Sequence, residues 1–102
     1  MEGILVSQVE ENGVQDFDSY RVPGIVALPS GELLVTYEGR DEKRGRRALL
    51  MRRSRDGGRS FEPRIVLREP EGNELLHNPM LLVRRSGEVW LFWCQDYTRL
   101  FS

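Results

Sequence analysis

The stretch Ser54-Arg55-Asp56-Gly57-Gly58-Arg59-Ser60-Phe61 reads as a tight turn that supplies its own hydrogen bonds. Serine and aspartate side chains reach backbone amides a few residues away. The paired glycines Gly57 and Gly58 accept the positive φ that such a turn requires. Phe61 then offers an apolar anchor for the return to a core. Apolar runs flank the turn at Ala48–Arg53 and Arg64–Leu67, so it connects two strands.

Outward from this turn the chain repeats one pattern: a short apolar run, a turn cluster, another short run. Ile4–Val9 is a candidate strand. Gly24–Leu28 and Glu32–Glu38 follow, joined by Pro29-Ser30-Gly31, and Met80–Val83 and Glu88–Cys94 flank Arg84-Arg85-Ser86-Gly87. No window sustains a helical apolar period, and Glu74–His77 has room for a single turn at most. Seven short strands imply an all-β sandwich, barrel or propeller. Two features favour the propeller. The run Val89–Cys94 is apolar on both faces, as is Ile25–Leu28, whereas a sheet with one wet face alternates; blades stack through both faces. The segment Val22–Val35 also resembles Asn78–Leu91, each with proline, strand, Ser-Gly-Glu turn and strand, at an offset of 56 residues from Pro23 to Pro79. The first unit has four strands, and the second has two with a third begun at Tyr97–Phe101.

Composition narrows the partners. Among 102 residues, 15 basic and 16 acidic side chains leave a net charge of −1, which gives no reason to expect nucleic acid or an anionic membrane. The run Lys43-Arg44-Gly45-Arg46-Arg47 is locally basic, but it lacks interleaved aromatics and reads as a solvated loop. The apolar runs are far shorter than the ~20 residues of a membrane span. Acidic Glu2 and Glu10 near the start, with no basic region, argue against a signal peptide and for a cytoplasmic protein. The single cysteine, Cys94, cannot form an intrachain disulfide and reads as a buried, inert thiol. The single histidine, His77, has no nucleophile or ligand cluster around it in the sequence and reads as a loop residue, so no metal is expected.

Ser54, Asp56, Gly58, Ser60 and Phe61 fit all five specified positions of the Asp-box, Ser-x-Asp-x-Gly-x-(Ser/Thr)-(Trp/Phe), a structural device of sialidases and related propellers. Tyr20-Arg21-Val22-Pro23, continued by Gly24–Leu28 and Glu32–Arg40, resembles the Tyr-Arg-Ile-Pro start of the sialidase family. The resemblance extends over roughly residues 20–101, including Asn78-Pro79 and Cys94–Phe101. It implies a six-bladed β-propeller, of which this chain holds about a blade and a half. Residues 1–19 would form an N-terminal strand and linker, 20–69 a first blade with the Asp-box, and 70–102 the start of a second. The implied activity is hydrolytic release of terminal sialic acid from glycoconjugates, without a metal or organic cofactor.

By that resemblance Arg21 clamps the substrate carboxylate, a role suited to a guanidinium that binds bidentately and keeps its charge. Arg40 matches a second pocket arginine, and Glu38 a glutamate that holds the first arginine in place. Two apart on one strand, Glu38 and Arg40 share a face, as a site wall or as an ordinary surface ion pair. The family's acid/base aspartate lies in the loop after the second arginine. Here that loop is short and puts Lys43 at the counted position, leaving Asp41 as first candidate and Glu42 as second. Asn78 lines the pocket, and Tyr97 touches ligand or packs on the rim. The remaining arginines, the tyrosine nucleophile and its glutamate fall outside this chain. The chain is therefore expected to be inactive alone and to self-associate through exposed blade edges. The partner is a sialic-acid-containing or other acidic glycan. The alternative is a non-catalytic carbohydrate-binding or interaction propeller, supported by the altered acid position.

Overall fold

The structure, a computed structural model, describes residues 8–11, 13, 17–72 and 74–97. It is all-β: β1 (Ser19–Ala27), β2 (Leu33–Asp41), β3 (Arg46–Ser54), β4 (Ile65–Arg68), β5 (Glu74–Val83) and β6 (Val89–Tyr97). The first four form an antiparallel sheet in the order β1-β2-β3-β4, and β5-β6 form a second, two-stranded sheet. This is one complete four-stranded blade followed by the first hairpin of another. Most of the expected strand Ile4–Val9, and the part of Tyr97–Phe101 beyond Tyr97, lie outside the described residues. Among the described residues no helix is long and apolar enough to cross a membrane.

The two hairpins close as their sequences require. Leu28 N–H donates to the Glu32 carbonyl at 2.8 Å, and Arg84 N–H to the Glu88 carbonyl at 2.8 Å. These are the same bonds, one repeat apart.

The first blade buries both faces, each against a different partner. On one face Val35 and Tyr37 of β2 meet Ala48 and Leu50 of β3 under Phe17, with Val9, Tyr20 and Phe61 packed around them. The Phe17 ring lies beneath two guanidiniums, Arg46 at 4.6 Å and Arg64 at 5.3 Å from its centroid. Glu10 ties the segment before β1 to this face: it pairs with Arg52 at 3.2 Å and Arg64 at 3.4 Å and accepts the Tyr37 hydroxyl. Burial, reinforced by that carboxylate, pushes the Tyr37 hydroxyl well above its usual range.

On the opposite face Leu34, Thr36, Glu38 and Leu49 are buried, and β5 lies against β1, β2 and β3. Leu76 is its fully buried contribution. Burying a leucine contributes about 1.5–3 kcal/mol, so Leu49, Leu50 and Leu76 are the main apolar anchors of the fold. The joint between sheets also carries polar bonds. Arg68 Nη2 lies 2.9 and 3.0 Å from the two Glu74 oxygens, and Thr36 Oγ1 donates to the Pro79 carbonyl at 3.5 Å.

Three expectations are corrected here. Glu74–His77 is the start of β5 and not a helical turn, because Glu74 faces Arg68 and Leu76 fills the joint. His77 is thus a strand residue and not a loop residue. Cys94 is exposed, not buried. Its run is apolar on both faces, but among the described strands only β5 lies close to β6, which leaves Trp90, Phe92 and Trp93 exposed along with Cys94.

Candidate functional site

β1 is an edge strand of the first sheet, and its N-terminal half carries the site. Arg21 pairs in register with Glu38, and Ser19 with Arg40. Residues directly opposite in an antiparallel pair share a face, which brings Arg21, Glu38 and Arg40 together. The register then slips between Arg21 and Gly24, where Val22 has φ 56°. A left-handed β-branched residue is a genuine backbone outlier. The slip is a bulge that lets Pro23, which has no N–H to give the ladder, sit inside a strand.

Glu38 is fully buried and has three donors. Its Oε1 accepts Arg40 Nε and Nη2, each at 2.8 Å. Its Oε2 accepts the Asn78 main-chain N–H at 2.7 Å. A buried carboxylate is tolerable only when so compensated. Contrary to the resemblance, the carboxylate holds Arg40 and not Arg21. Arg40 keeps 20% of its side chain exposed, so it is fixed at one end and reachable at the other. Arg21 is exposed, and no described residue forms an ion pair with it. The cleft of about 330 Å³ that Arg21 borders is lined by Glu10, Tyr20, Pro23, Val35 and Tyr37 among others, on the Phe17 side of the sheet, and neither Glu38 nor Arg40 lines it.

Asn78 repeats the corner seen at Val22. It has φ 50°, precedes a proline, and sits where the β5–β6 register slips between His77 and Met80. Beside it, His77 Nδ1 lies 3.0 Å from Arg47 Nη1. A guanidinium only donates, so Nδ1 is the acceptor. Neither the Asn78 amide contact nor the Arg47–His77 bond was legible in the sequence. The available signal was Asn78-Pro79 standing one repeat after Val22-Pro23, asparagine being a residue that tolerates left-handed backbone.

Asp41 is placed differently. It is the last residue of β2, opposite Arg46, and not part of the loop. It is largely buried; its Oδ1 accepts the Arg44 N–H at 3.4 Å, and Oδ2 lies 3.6 Å from Arg44 Nη1. One residue beyond Arg40, pleat alternation turns it to the opposite face of the sheet. It borders a separate cleft of about 380 Å³ with Lys43, Arg44 and Arg46. Glu42 is exposed, its N–H bonded to Asp18 Oδ2 at 2.9 Å. Tyr97 ends β6 opposite Glu74; the placement of its side chain lies outside the described residues.

The Asp-box closes on itself. Ser54 Oγ donates to Asp56 Oδ1 at 2.9 Å and accepts the Gly58 N–H at 2.8 Å. Asp56 accepts the Ser60 N–H at 2.9 Å and the Ser60 hydroxyl. Gly57 and Gly58 have φ 74° and 91°, and Phe61 packs on the core. All these bonds stay within the turn.

A four-stranded antiparallel blade, a repeated X-Pro bulge on its edge strand and a self-closed Asp-box define part of an Asp-box β-propeller. No family model matches the chain. It is 42% identical over 59 residues to a sialidase of Micromonospora viridifaciens, a match that takes in 55% of this chain and 9% of that protein. In fold it matches the Hadza microbial sialidase Hz136 with a TM-score of 0.66 at 26% identity, over 79% of this chain and 18% of that one. Sequence and fold together make the chain a segment of the sialidase superfamily, one that spans a small part of either relative's length.

Proposed function

We propose that this chain supplies one wall of the sugar site of a sialidase-like glycoside hydrolase that releases terminal sialic acid from glycoconjugates. Arg21 is the carboxylate clamp in this reading, Arg40 a second contact, and Glu38 the group that holds Arg40. The whole activity belongs to a longer propeller, in which residues 20–69 form one blade and 70–102 open the next.

The observation that carries the reading is the contrast between two arginines on one face. Arg40 is neutralised by the buried Glu38, whereas Arg21, opposite Glu38 in register, is exposed with no ion pair among the described residues. A guanidinium with its fork open suits a planar anion, and a sugar carboxylate is such an anion. The test is hydrolysis of a fluorogenic sialoside by the polypeptide that carries this segment. Arg21→Ala is expected to lower kcat/KM by about 100-fold, two charge-assisted bonds being lost. Arg21→Lys is expected to recover only part, because an ammonium lacks the fork. An unchanged kcat/KM in Arg21→Ala would remove the clamp.

A second reading is favoured by Asp41. Its carboxylate lies on the sheet face opposite Arg40 and contacts Arg44, which suits a propeller that binds acidic sugars without cleaving them. Sialoside bound without turnover in the same assay decides for that reading.

A further inference from the structure

We infer that Asn78 is a positioning residue that acts through its main chain: its left-handed backbone delivers an amide from the second blade to Glu38 on the first, and so fixes the Arg40 guanidinium beside Arg21. The lock itself is a property of the two packed sheets. Only its bearing on sugar binding rests on the function proposed above.

The geometry separates the two ends of Asn78. The residue is exposed, yet its N–H points inward to Glu38 Oε2 at 2.7 Å, and Glu38 has no exposed surface at all. In an antiparallel pair alternate residues of β5 bond β6 and the others point out of the pair. The slip between His77 and Met80 leaves Asn78 and Pro79 without register partners on β6. What the bulge leaves unpaired goes to the neighbouring blade. Asn78 gives its N–H to Glu38, and the Pro79 carbonyl accepts Thr36 Oγ1 at 3.5 Å. Thr36 and Glu38 stand two apart on β2 and face the same way. One donor and one acceptor therefore meet two consecutive inward groups of the facing strand.

The equivalent corner in the first blade shows which part of the residue matters. Val22 takes φ 56° before Pro23, as Asn78 takes φ 50° before Pro79. Valine has no polar side chain, so the corner forms without one. Asparagine at position 78 is accounted for by its tolerance of positive φ, and its side chain is not needed to reach Glu38. The consequence runs along the chain of contacts. Asn78 N–H holds one Glu38 oxygen, the other holds Arg40 Nε and Nη2, and Arg40 shares its face with Arg21.

The experiment reads the lock directly by NMR on the isotopically labelled chain, with no sugar present. The probes are the amide of residue 78 and the Arg40 Nε–H. In the wild type both are expected to exchange slowly, and Glu38→Gln is expected to shift both resonances. Asn78→Gly keeps the N–H and adopts positive φ freely, so Arg40 Nε–H protection should stay within about threefold of wild type. Asn78→Pro should lower that protection about tenfold or more, because proline has no N–H to give Glu38 and its ring holds φ near −65°. If Asn78→Pro does not fold, Asn78→Ala takes its place, alanine tolerating positive φ less well than glycine, and the same order against Asn78→Gly is expected. Glycine losing protection as fully as proline or alanine would make the side chain the agent and overturn the inference. So would protection unchanged in every variant. This order in the chain, together with unchanged sialoside hydrolysis by Arg21→Ala in the longer polypeptide that carries the segment, would count against the clamp and leave the lock standing.

Discussion

At the scale of single residues, Asp56 shows how a side chain at the surface can organise a turn. The Ser60 hydroxyl and Ser60 amide, with Ser54, bond its carboxylate and hold its pKa at about 2, below the ordinary 3.8. A folded-state pKa below the unfolded one means the turn's contribution is present above about pH 4 and is lost as pH falls through about 2. Asp56→Asn should therefore unfold at a lower temperature than wild type near neutrality, and the gap should close between about pH 4 and pH 2. Thermal unfolding followed across that range checks it; a gap independent of pH would show that the charge plays no part. Ser54, Asp56, Gly58, Ser60 and Phe61 were all readable in advance because every bond of the turn is local. The partner of Glu38 was not: the Asn78 amide stands 40 residues away, and a main-chain donor leaves no residue type to recognise.

At the scale of strands, β2 carries most of the architecture, since it pairs on both sides and buries both faces. Gly39 shows how tightly it is covered. A Cβ built there would lie 2.7 Å from Leu50 Cδ1 and 2.9 Å from Phe17 Cδ1. Leu50 is fully buried, and the Phe17 ring is held beneath two guanidiniums, so neither can swing away at low cost. Gly39→Ala is expected to destabilise the chain by about 1–3 kcal/mol through overpacking. Denaturant unfolding measures this directly, and a loss below about 0.5 kcal/mol would mean that Phe17 is not the fixed lid described here. Strand ends were the least legible part of the sequence. β1 and β5 begin well before the expected Gly24 and Met80, on the far side of Pro23 and Pro79. A bulge absorbs each proline, and only the paired strand reveals the bulge. The same shortening misplaced Asp41, which β2 includes as its final residue. The Ser-Gly-Glu hairpins were visible because their turn chemistry is encoded in adjacent residues.

At the scale of the whole molecule, one sheet face stays bare. Met80, Leu82, Trp90 and Phe92 are 62%, 52%, 46% and 46% exposed, and the register sets Met80 against Phe92 and Leu82 against Trp90. A contiguous apolar patch of this kind on a separate chain favours self-association. The 102-residue chain, purified alone, should elute from a sizing column as oligomer, and Phe92→Lys should shift it toward monomer; a monomeric wild type would refute this. Cys94 lies on the same surface, as the chain's one thiol. A maleimide dye would therefore attach at a single defined point without any engineering. Its emission would report when something lands there, so the molecule comes with a built-in gauge of its own coverage.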